Sequence, residues 1–174
     1  MYYLDTNILS FAFKETDAAV SKHIKDEPFE DIAISSLMLE ELLKGQWDEI
    51  NSCRTIAQSK PNLPDKQTVA DAYEFLGVLV KKIAPFQFAD YPNEAEIIYS
   101  KFSRASKRHP FDARLIAHAK VTGATIVTDN TDDFDAIRKN EGLKDVNVVN
   151  WASRATYDET HVDDWVPGET YDIE

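Results

Sequence analysis

The sequence predicts an α/β domain built around a mainly parallel sheet. Three observations support this class: short apolar segments rich in β-branched and aromatic residues, helical periodicity between them, and a size that fits one domain. The chain has 174 residues, of which 43% are hydrophobic, so it can build a single core of ordinary size. Strands that alternate with helices are typical of folds in which helices cover a parallel sheet.

Four short segments are predicted to be strands. Each is mostly apolar, which indicates strands that are covered on both faces, as in a parallel sheet. The predicted strands are Tyr2-Tyr3-Leu4, Ile32-Ala33-Ile34, Ala124-Thr125-Ile126-Val127 and Val146-Asn147-Val148-Val149.

Two helices are predicted in the first third of the chain. Thr16 is a candidate N-cap for a helix that continues through Asp26. The segment from Ser35 to Lys44 predicts a short amphipathic helix that ends at Gly45, because glycine is favoured just after a helix C-terminus.

Three more helices are predicted further along. Asp65 is a candidate cap for a long helix, Asn93 with Glu96 resembles a capping box, and Pro110 opens a helix that ends at Gly123. The apolar positions of the first two helices follow helical spacing. They are Val69, Ala72, Tyr73, Leu76, Val80 and Ile83 in the first, and Ala95, Ile98, Tyr99 and Phe102 in the second.

The C-terminal end of the sequence differs in composition from the rest. Seven acidic residues and no Lys or Arg lie between 155 and 174, so this tail carries −7 of the net charge of −12. We therefore expect a folded domain over residues 1–151 and an acidic extension over 152–174. The extension either packs across the domain, anchored by Trp151, Tyr157 and Trp165, or is partly disordered.

The remaining composition favours a cytoplasmic protein. No apolar segment approaches the roughly 18 residues of a membrane span, and the N-terminus has no secretory pattern. Cys53 is the single cysteine and suits a reducing compartment. It shows no zinc-type spacing with His23, His109, His118 or His161.

Acidic residues follow the predicted strands. Ligands of an open parallel sheet bind at the carboxyl ends of its strands, so acids from separate segments can meet there. Like charges at short distance repel, whereas Mg²⁺ or Mn²⁺ prefers such oxygen ligands and supports phosphodiester hydrolysis. The acids in question are Asp5, Glu41, Asp112, Asp129, Asp132 and Asp133.

Each acid also has an ordinary structural explanation. An Asp after a strand often caps a turn, a glutamate on a helix is often solvated, and an acid in the first turn of a helix favours the helix dipole. Only the combination therefore indicates a metal site.

The acidic segments occur in a characteristic order. They are Tyr3-Leu4-Asp5-Thr6-Asn7, Leu39-Glu40-Glu41-Leu42-Leu43-Lys44-Gly45, Phe111-Asp112-Ala113-Arg114-Leu115-Ile116-Ala117 and Gly123-Ala124-Thr125-Ile126-Val127-Thr128-Asp129-Asn130-Thr131-Asp132-Asp133-Phe134. Over roughly residues 1–151 they resemble the PIN-domain family, and specifically the VapC-like toxins of toxin–antitoxin systems.

The resemblance implies a PIN-like three-layer α/β/α fold and a Mg²⁺- or Mn²⁺-dependent endoribonuclease. It assigns the metal and the catalysis to Asp5, Glu41, Asp112 and Asp133, with Asp129 as the alternative fourth acid. It selects Glu41 over Glu40, because the acid lies four residues before a glycine. Supporting roles fall to Thr6, Asn7, Thr128 and Asn130. The resemblance further implies a cognate antitoxin and a homodimer.

A basic segment lies just before Asp112. It contains Lys101, Arg104, Lys107, Arg108 and His109, with Arg114 shortly after it. Such a segment is often a solvated helix face, but its position beside the acids predicts contacts with RNA phosphates from Arg104, Lys107, Arg108 and Arg114.

Three alternatives remain open at this point. One is a host RNA-processing nuclease of the same fold without an antitoxin, and another is a non-catalytic interaction module whose acidic surface binds a basic protein. An aspartyl phosphatase is disfavoured, because Asn7 stands where the second acid of that class is expected.

Overall fold

A five-stranded sheet forms the centre of the computed structural model, which describes residues 1–59 and 68–153. All neighbouring strands pair in parallel, in the order β3-β2-β1-β4-β5. The strands are β1 (Tyr2–Leu4), β2 (Ile32–Ser35), β3 (Gln87–Ala89), β4 (Thr125–Val127) and β5 (Val148–Val149). The predicted α/β class with a mainly parallel sheet is therefore confirmed.

Helices flank this sheet and connect its strands. They are α1 (Thr6–Lys14), α2 (Ala18–Asp26), α3 (Ser36–Ser59), α4 (Val69–Ile83), α5 (Asn93–Ser100), α6 (Pro110–Thr122) and α7 (Thr131–Glu141), with short 3-10 turns at Phe29–Asp31 and Ser106–Arg108. None of the helices described here has the length and the apolar character that a membrane crossing requires.

The strand predictions are correct for β1, β2 and β4, and β5 is shorter than predicted. The edge strand β3 and the helix α1 are absent from the sequence prediction. The structure places β3 beside β2, where Ile34 pairs with Phe88. The first strand leads directly into α1, because Asp5 caps that helix.

The prediction that Gly45 ends a short helix is wrong. The helix α3 continues without interruption from Ser36 to Ser59. Its second half packs on α4, where Ile50 and Cys53 are buried together with Ala72. This burial stabilises the helix beyond Gly45, because packing of an apolar face outweighs the weak helix preference of one glycine.

Three predicted helix caps also need correction. Asp17 rather than Thr16 caps α2, since its side chain accepts hydrogen bonds from the backbone N–H groups of the first turn. Thr68 and Asp71 form the capping box of α4, and the predicted cap Asp65 lies outside the described residues. At α5, Asn93 is the first helical residue and provides no side-chain cap.

Within the part of the chain that the structure describes, His118 is the buried histidine of the core, and it links the sheet to α6. The Nδ1 atom of His118 lies 3.0 Å from the Ser35 hydroxyl, and Nε2 lies 3.3 Å from the Tyr3 hydroxyl. Burial lowers the pKa of His118 to about 4. The imidazole is therefore neutral at neutral pH and contributes to the packing between β1, β2 and α6.

The chain beyond β5 returns to the body of the domain. Trp151 is buried and its ring stacks on that of His23, with a centroid distance of 5.1 Å. The backbone N–H and the hydroxyl of Ser153 both donate to Asp17 Oδ2 at 2.9 Å. The proposed anchors Tyr157 and Trp165 lie outside the described residues.

Candidate metal centre

Asp5 lies at the carboxyl end of β1 and is only 5% exposed. Its Oδ1 accepts a hydrogen bond of 2.8 Å from the Thr6 backbone N–H, and its Oδ2 accepts one of 2.7 Å from the Thr128 hydroxyl. Burial raises the pKa of Asp5, although these hydrogen bonds oppose the effect. The local structure thus fixes the carboxylate while leaving it a strong ligand for a cation.

Thr128 holds together the segments that follow β1 and β4. Its side chain is fully buried. Besides donating to Asp5, its hydroxyl accepts a hydrogen bond of 3.0 Å from the Asn130 backbone N–H. The Asn7 amide lies between the two segments, 3.4 Å from both the Thr128 hydroxyl and the Asp129 backbone N–H. The side chains that were predicted to support the metal ligands therefore form one connected network.

Glu41 lies on α3, just beyond the carboxyl end of β2. It is half-buried, whereas its neighbour Glu40 is exposed. Burial raises the pKa of Glu41 and the charge of Asp5 raises it further, while a hydrogen bond from the Thr6 side chain lowers it. Of the two adjacent glutamates, Glu41 is the one whose charge raises the pKa of Asp112.

Asp112 occupies the first turn of α6, and its side chain is 20% exposed. Burial raises the pKa of this carboxyl group to about 7, and the charges of Asp5, Glu41 and Asp133 contribute to the increase. One ligand atom of Asp112 lies within 4.8 Å of one of Asp133. Asp5 and Glu41 follow β1 and β2 at the carboxyl end of the same parallel sheet. The structure therefore brings the four predicted acids together at one end of the sheet.

Asp133 lies in the first turn of α7 and is held by Asn130, whose amide donates to Oδ2 at 2.7 Å. Asp129, the alternative fourth acid, is exposed and instead accepts a hydrogen bond of 3.2 Å from the Asn150 amide. The charge of Asp133, unlike that of Asp129, is among the causes of the shift at Asp112. The geometry thus favours Asp133 as the fourth acid of the centre.

The side chains present fit a divalent cation. Four carboxylates from four separate segments repel one another without a cation, and the pKa of Asp112 is raised by burial and, in addition, by that repulsion. Within residues 1–59 and 68–153, one set of three possible ligands has donor atoms within 4.8 Å of one another: His109, Asp112 and Asp133. His109 is not among the metal ligands that the sequence predicts. The sequence feature that could have indicated His109 as a ligand is its position three residues before Asp112, directly before Pro110, which begins the helix.

The basic side chains before Asp112 divide into two groups. Lys107 donates to the Ser100 carbonyl oxygen at 2.7 Å and also lies over the Tyr99 ring. Arg114 lies over the same ring and pairs with Glu96. Arg104 and Arg108 are exposed, and the described part of the chain offers their side chains no hydrogen bond or ion pair. These two arginines are the predicted phosphate contacts that remain available.

One carboxylate fixes the segment that carries these residues. Glu141, at the end of α7, accepts hydrogen bonds from the Ser103 backbone N–H at 3.0 Å, the Ser103 hydroxyl at 2.7 Å and the Ser106 hydroxyl at 2.6 Å. Burial raises the pKa of Glu141, but these bonds outweigh it and leave the pKa below its usual value. The segment before α6 is thereby attached to α7.

The comparisons with known proteins agree with the fold. The chain is similar to solved structures of DNA-bound VapBC from Salmonella typhimurium (21% identity, 87% of this chain and 98% of that chain, TM-score 0.61) and of FitAcB from Neisseria gonorrhoeae (22% identity, 87% and 98%, TM-score 0.56). It is also similar to a toxin–antitoxin complex from Klebsiella pneumoniae (18% identity, 88% and 99%, TM-score 0.51). A comparison with curated proteins finds no match. Residues 2–140 match the family model of the PIN domain, and the chain therefore belongs to the PIN domain family.

Proposed function

We propose that this protein is a metal-dependent endoribonuclease and the toxin of a toxin–antitoxin pair. The observation that carries the nuclease proposal is the meeting of four carboxylates at the carboxyl ends of the central strands. Burial there, together with the charges of Asp5, Glu41 and Asp133, raises the pKa of Asp112 to about 7. Carboxylates gathered in this way are the ligands that Mg²⁺ and Mn²⁺ prefer.

In phosphodiester hydrolysis, some residues of the centre would bind the metal and others would orient these ligands. Asp5, Glu41, Asp112 and Asp133 would hold Mg²⁺ or Mn²⁺. Such an ion supplies Lewis acidity that activates water and stabilises a leaving oxygen. Thr128 orients Asp5 through its 2.7 Å hydrogen bond, and Asn130 orients Asp133 in the same way.

The RNA backbone needs positive charge near these acids. Arg104 and Arg108 are exposed and precede Asp112 by a few residues, so they can contact phosphates on either side of the reacting bond. Contacts of this type position the strand and read no base sequence. We therefore propose cleavage within RNA with little direct base recognition by these arginines.

The toxin proposal draws on the structural neighbours and on the surface of α3. One neighbour is a toxin–antitoxin complex. An open apolar groove of about 520 Å³ runs along α3 and is lined by Ser36, Leu39, Glu40, Leu43, Lys44 and Trp47. Exposed apolar surface of this kind is typical of protein interfaces. The groove therefore supports binding of a protein partner. We propose that this partner is a cognate antitoxin and that the pair is cytoplasmic. We also propose that the protein forms a homodimer through apolar surface of this kind.

We also propose how the chain is divided: a nuclease domain over residues 1–151 and an acidic extension over residues 152–174. Trp151 is buried in the domain and Ser153 contacts Asp17, which supports a boundary close to this point.

The decisive test is a cleavage assay on structured RNA with added Mn²⁺. We expect cleavage by the parent chain, none with EDTA, and none by Asp112→Asn at any Mn²⁺ concentration. Glu41→Gln should lose most activity, whereas Glu40→Gln should retain it, because Glu40 is exposed and is not among the charges that act on Asp112. Equal loss in both glutamate variants would contradict the assigned ligands.

A second experiment separates the toxin from a host nuclease. We expect the parent chain to arrest growth when it is expressed alone and the short open reading frame next to it to relieve the arrest. Growth arrest that no neighbouring reading frame relieves would favour the host RNA-processing nuclease. Divalent metal binding without any RNA cleavage would favour the non-catalytic interaction module.

A further inference from the structure

His109 lies at the outer side of the candidate centre. It immediately precedes Pro110 at the start of α6, and its imidazole makes no hydrogen bond that caps the helix. Its Nδ1 lies 4.0 Å from Asp112 Oδ2. One ligand atom from each of His109, Asp112 and Asp133 lies within 4.8 Å of the other two. An imidazole nitrogen and two carboxylate oxygens therefore face a common space.

The spacing of these atoms suits one cation. Metal–ligand bonds of about 2.0–2.2 Å place two ligands of the same ion about 3–4 Å apart, depending on the angle between them. The separation of 4.0 Å between the His109 and Asp112 atoms falls in this range. The His109 side chain is 53% exposed, so an ion can reach the space from solvent.

The surrounding structure holds the Asp133 side chain and positions the backbone that carries His109 and Asp112. Asp112 is fixed in the first turn of α6, and Asp133 accepts the 2.7 Å hydrogen bond from Asn130. The backbone before His109 is attached to α7 by the hydrogen bonds from Ser103 and Ser106 to Glu141. A site whose ligands are already positioned loses little conformational freedom when an ion binds.

We propose that His109 is a direct ligand of the divalent cation, together with Asp112 and Asp133. This inference rests on the proposed function, since it names a further ligand of the same centre. Carboxylates alone suit Mg²⁺, Ca²⁺ and Mn²⁺, whereas imidazole suits first-row transition metals. A nitrogen ligand thus shifts the selectivity of the centre away from Mg²⁺ and towards ions such as Mn²⁺.

Pulsed electron paramagnetic resonance of Mn²⁺ tests this directly, because a coordinated imidazole produces a ¹⁴N modulation that carboxylates do not. We expect the modulation in the full chain loaded with Mn²⁺, and we expect its loss in His109→Ala. The matched control is His23→Asn, which removes an imidazole that stacks on Trp151, and which should leave the modulation unchanged. Calorimetry should show that His109→Ala weakens Mn²⁺ binding by at least about tenfold, with a smaller effect on Mg²⁺.

The outcomes separate this inference from the proposed function. Bound Mn²⁺ without ¹⁴N modulation, or a modulation that persists in His109→Ala, overturns the role of His109 and leaves the carboxylate centre intact. A parent chain that binds no Mn²⁺ overturns both. Equal weakening of Mn²⁺ and Mg²⁺ binding in His109→Ala overturns the proposed selectivity.

Discussion

Among single residues, Thr128 joins Asp5 to the turn that follows β4. Its hydroxyl donates to Asp5 at 2.7 Å and accepts from the Asn130 backbone N–H at 3.0 Å. Because the side chain is fully buried, no solvent molecule can easily replace these partners. One buried oxygen atom therefore links Asp5 to the turn after β4.

Replacing Thr128 with Val should reduce both metal affinity and RNA cleavage by about 10–100-fold, the usual effect of removing a group that orients a metal ligand. The free energy of unfolding should fall by about 1–3 kcal/mol, because buried hydrogen-bonding groups lose their partner. Thr128→Ser keeps the hydroxyl and should retain most activity. A Val variant with parental Mn²⁺ affinity would contradict the supporting role.

Asp112 makes stability depend on pH in the metal-free protein. Its pKa is raised to about 7 in the folded state, above an unfolded value of about 3.9. The folded state therefore binds the proton more tightly, and stability falls as pH rises from the unfolded pKa through the folded pKa.

Asp112→Asn removes this titration. In EDTA, its melting temperature should exceed that of the parent by more at about pH 8 than at about pH 5. In excess Mg²⁺ the order should reverse at the higher pH, because only the parent gains stability from binding the ion. A difference that is the same at both pH values in EDTA would show that Asp112 keeps an ordinary pKa.

Among the helices, α3 shows how packing overrides a local signal. Gly45 lies inside this helix, and an added Cβ would meet no atom within 4 Å. Gly45→Ala should therefore raise the free energy of unfolding by roughly 0.5–1 kcal/mol, because alanine restricts the unfolded chain and favours helix.

Gly123→Ala provides the matched comparison. Gly123 also has open space around it, but its φ is 70°, in the left-handed region. Alanine at this position should lower stability by about 1–2 kcal/mol. Chemical denaturation of both variants measures the two effects, and a destabilised Gly45→Ala would show that α3 is interrupted in solution.

Buried strands could be predicted from the sequence more easily than exposed ones. The strands β1, β2 and β4 lie in the middle of the sheet, so apolar composition alone identifies them. The edge strand β3 contains Gln87 and an exposed Phe88, and its three residues lack that signal. The full length of α3 depends on burial of Ile50 and Cys53 against α4, a contact between distant segments that local periodicity does not contain.

The acids of the candidate centre could be predicted because each belongs to a sequence motif. Residues that reach the centre or its surroundings only through contacts between distant segments could not be predicted. Asp5, Glu41, Asp112 and Asp133 were named from the sequence, and the structure places their charges close together. His109 was assigned to the basic segment and not to the metal site, because zinc-type spacing of histidines and cysteines takes no account of carboxylate partners. The contacts of Lys107 and Arg114 with Tyr99 likewise depend on the packing of α5 against α6.

For the molecule as a whole, the charge distribution restricts how RNA can bind. The net charge is −12, so most of the surface repels phosphates, and affinity depends on a few local cations. Arg104 and Arg108 are the exposed arginines before the centre. RNA binding should therefore be weak, local and sensitive to salt.

The role of these arginines can be tested by measuring RNA affinity at several salt concentrations in EDTA, where no cleavage occurs. Arg104→Ala and Arg108→Ala should each flatten the dependence of log affinity on log salt by about 0.7, the value for one phosphate contact of a single strand. Lys120→Ala is the control, because Lys120 lies at the other end of α6 and pairs with Asp145. An unchanged slope in both arginine variants would place the RNA elsewhere.

The gathering of separate acids around one divalent cation can be observed directly by anomalous diffraction from crystals grown with Mn²⁺. We expect an anomalous peak within about 2.0–2.6 Å of an Asp112 oxygen, at the carboxyl ends of β1 and β4, and no such peak in Asp112→Asn. Mn²⁺ bound only away from Asp5, Glu41, Asp112 and Asp133, or no bound Mn²⁺ at all, would contradict a metal-dependent nuclease centre at this end of the sheet.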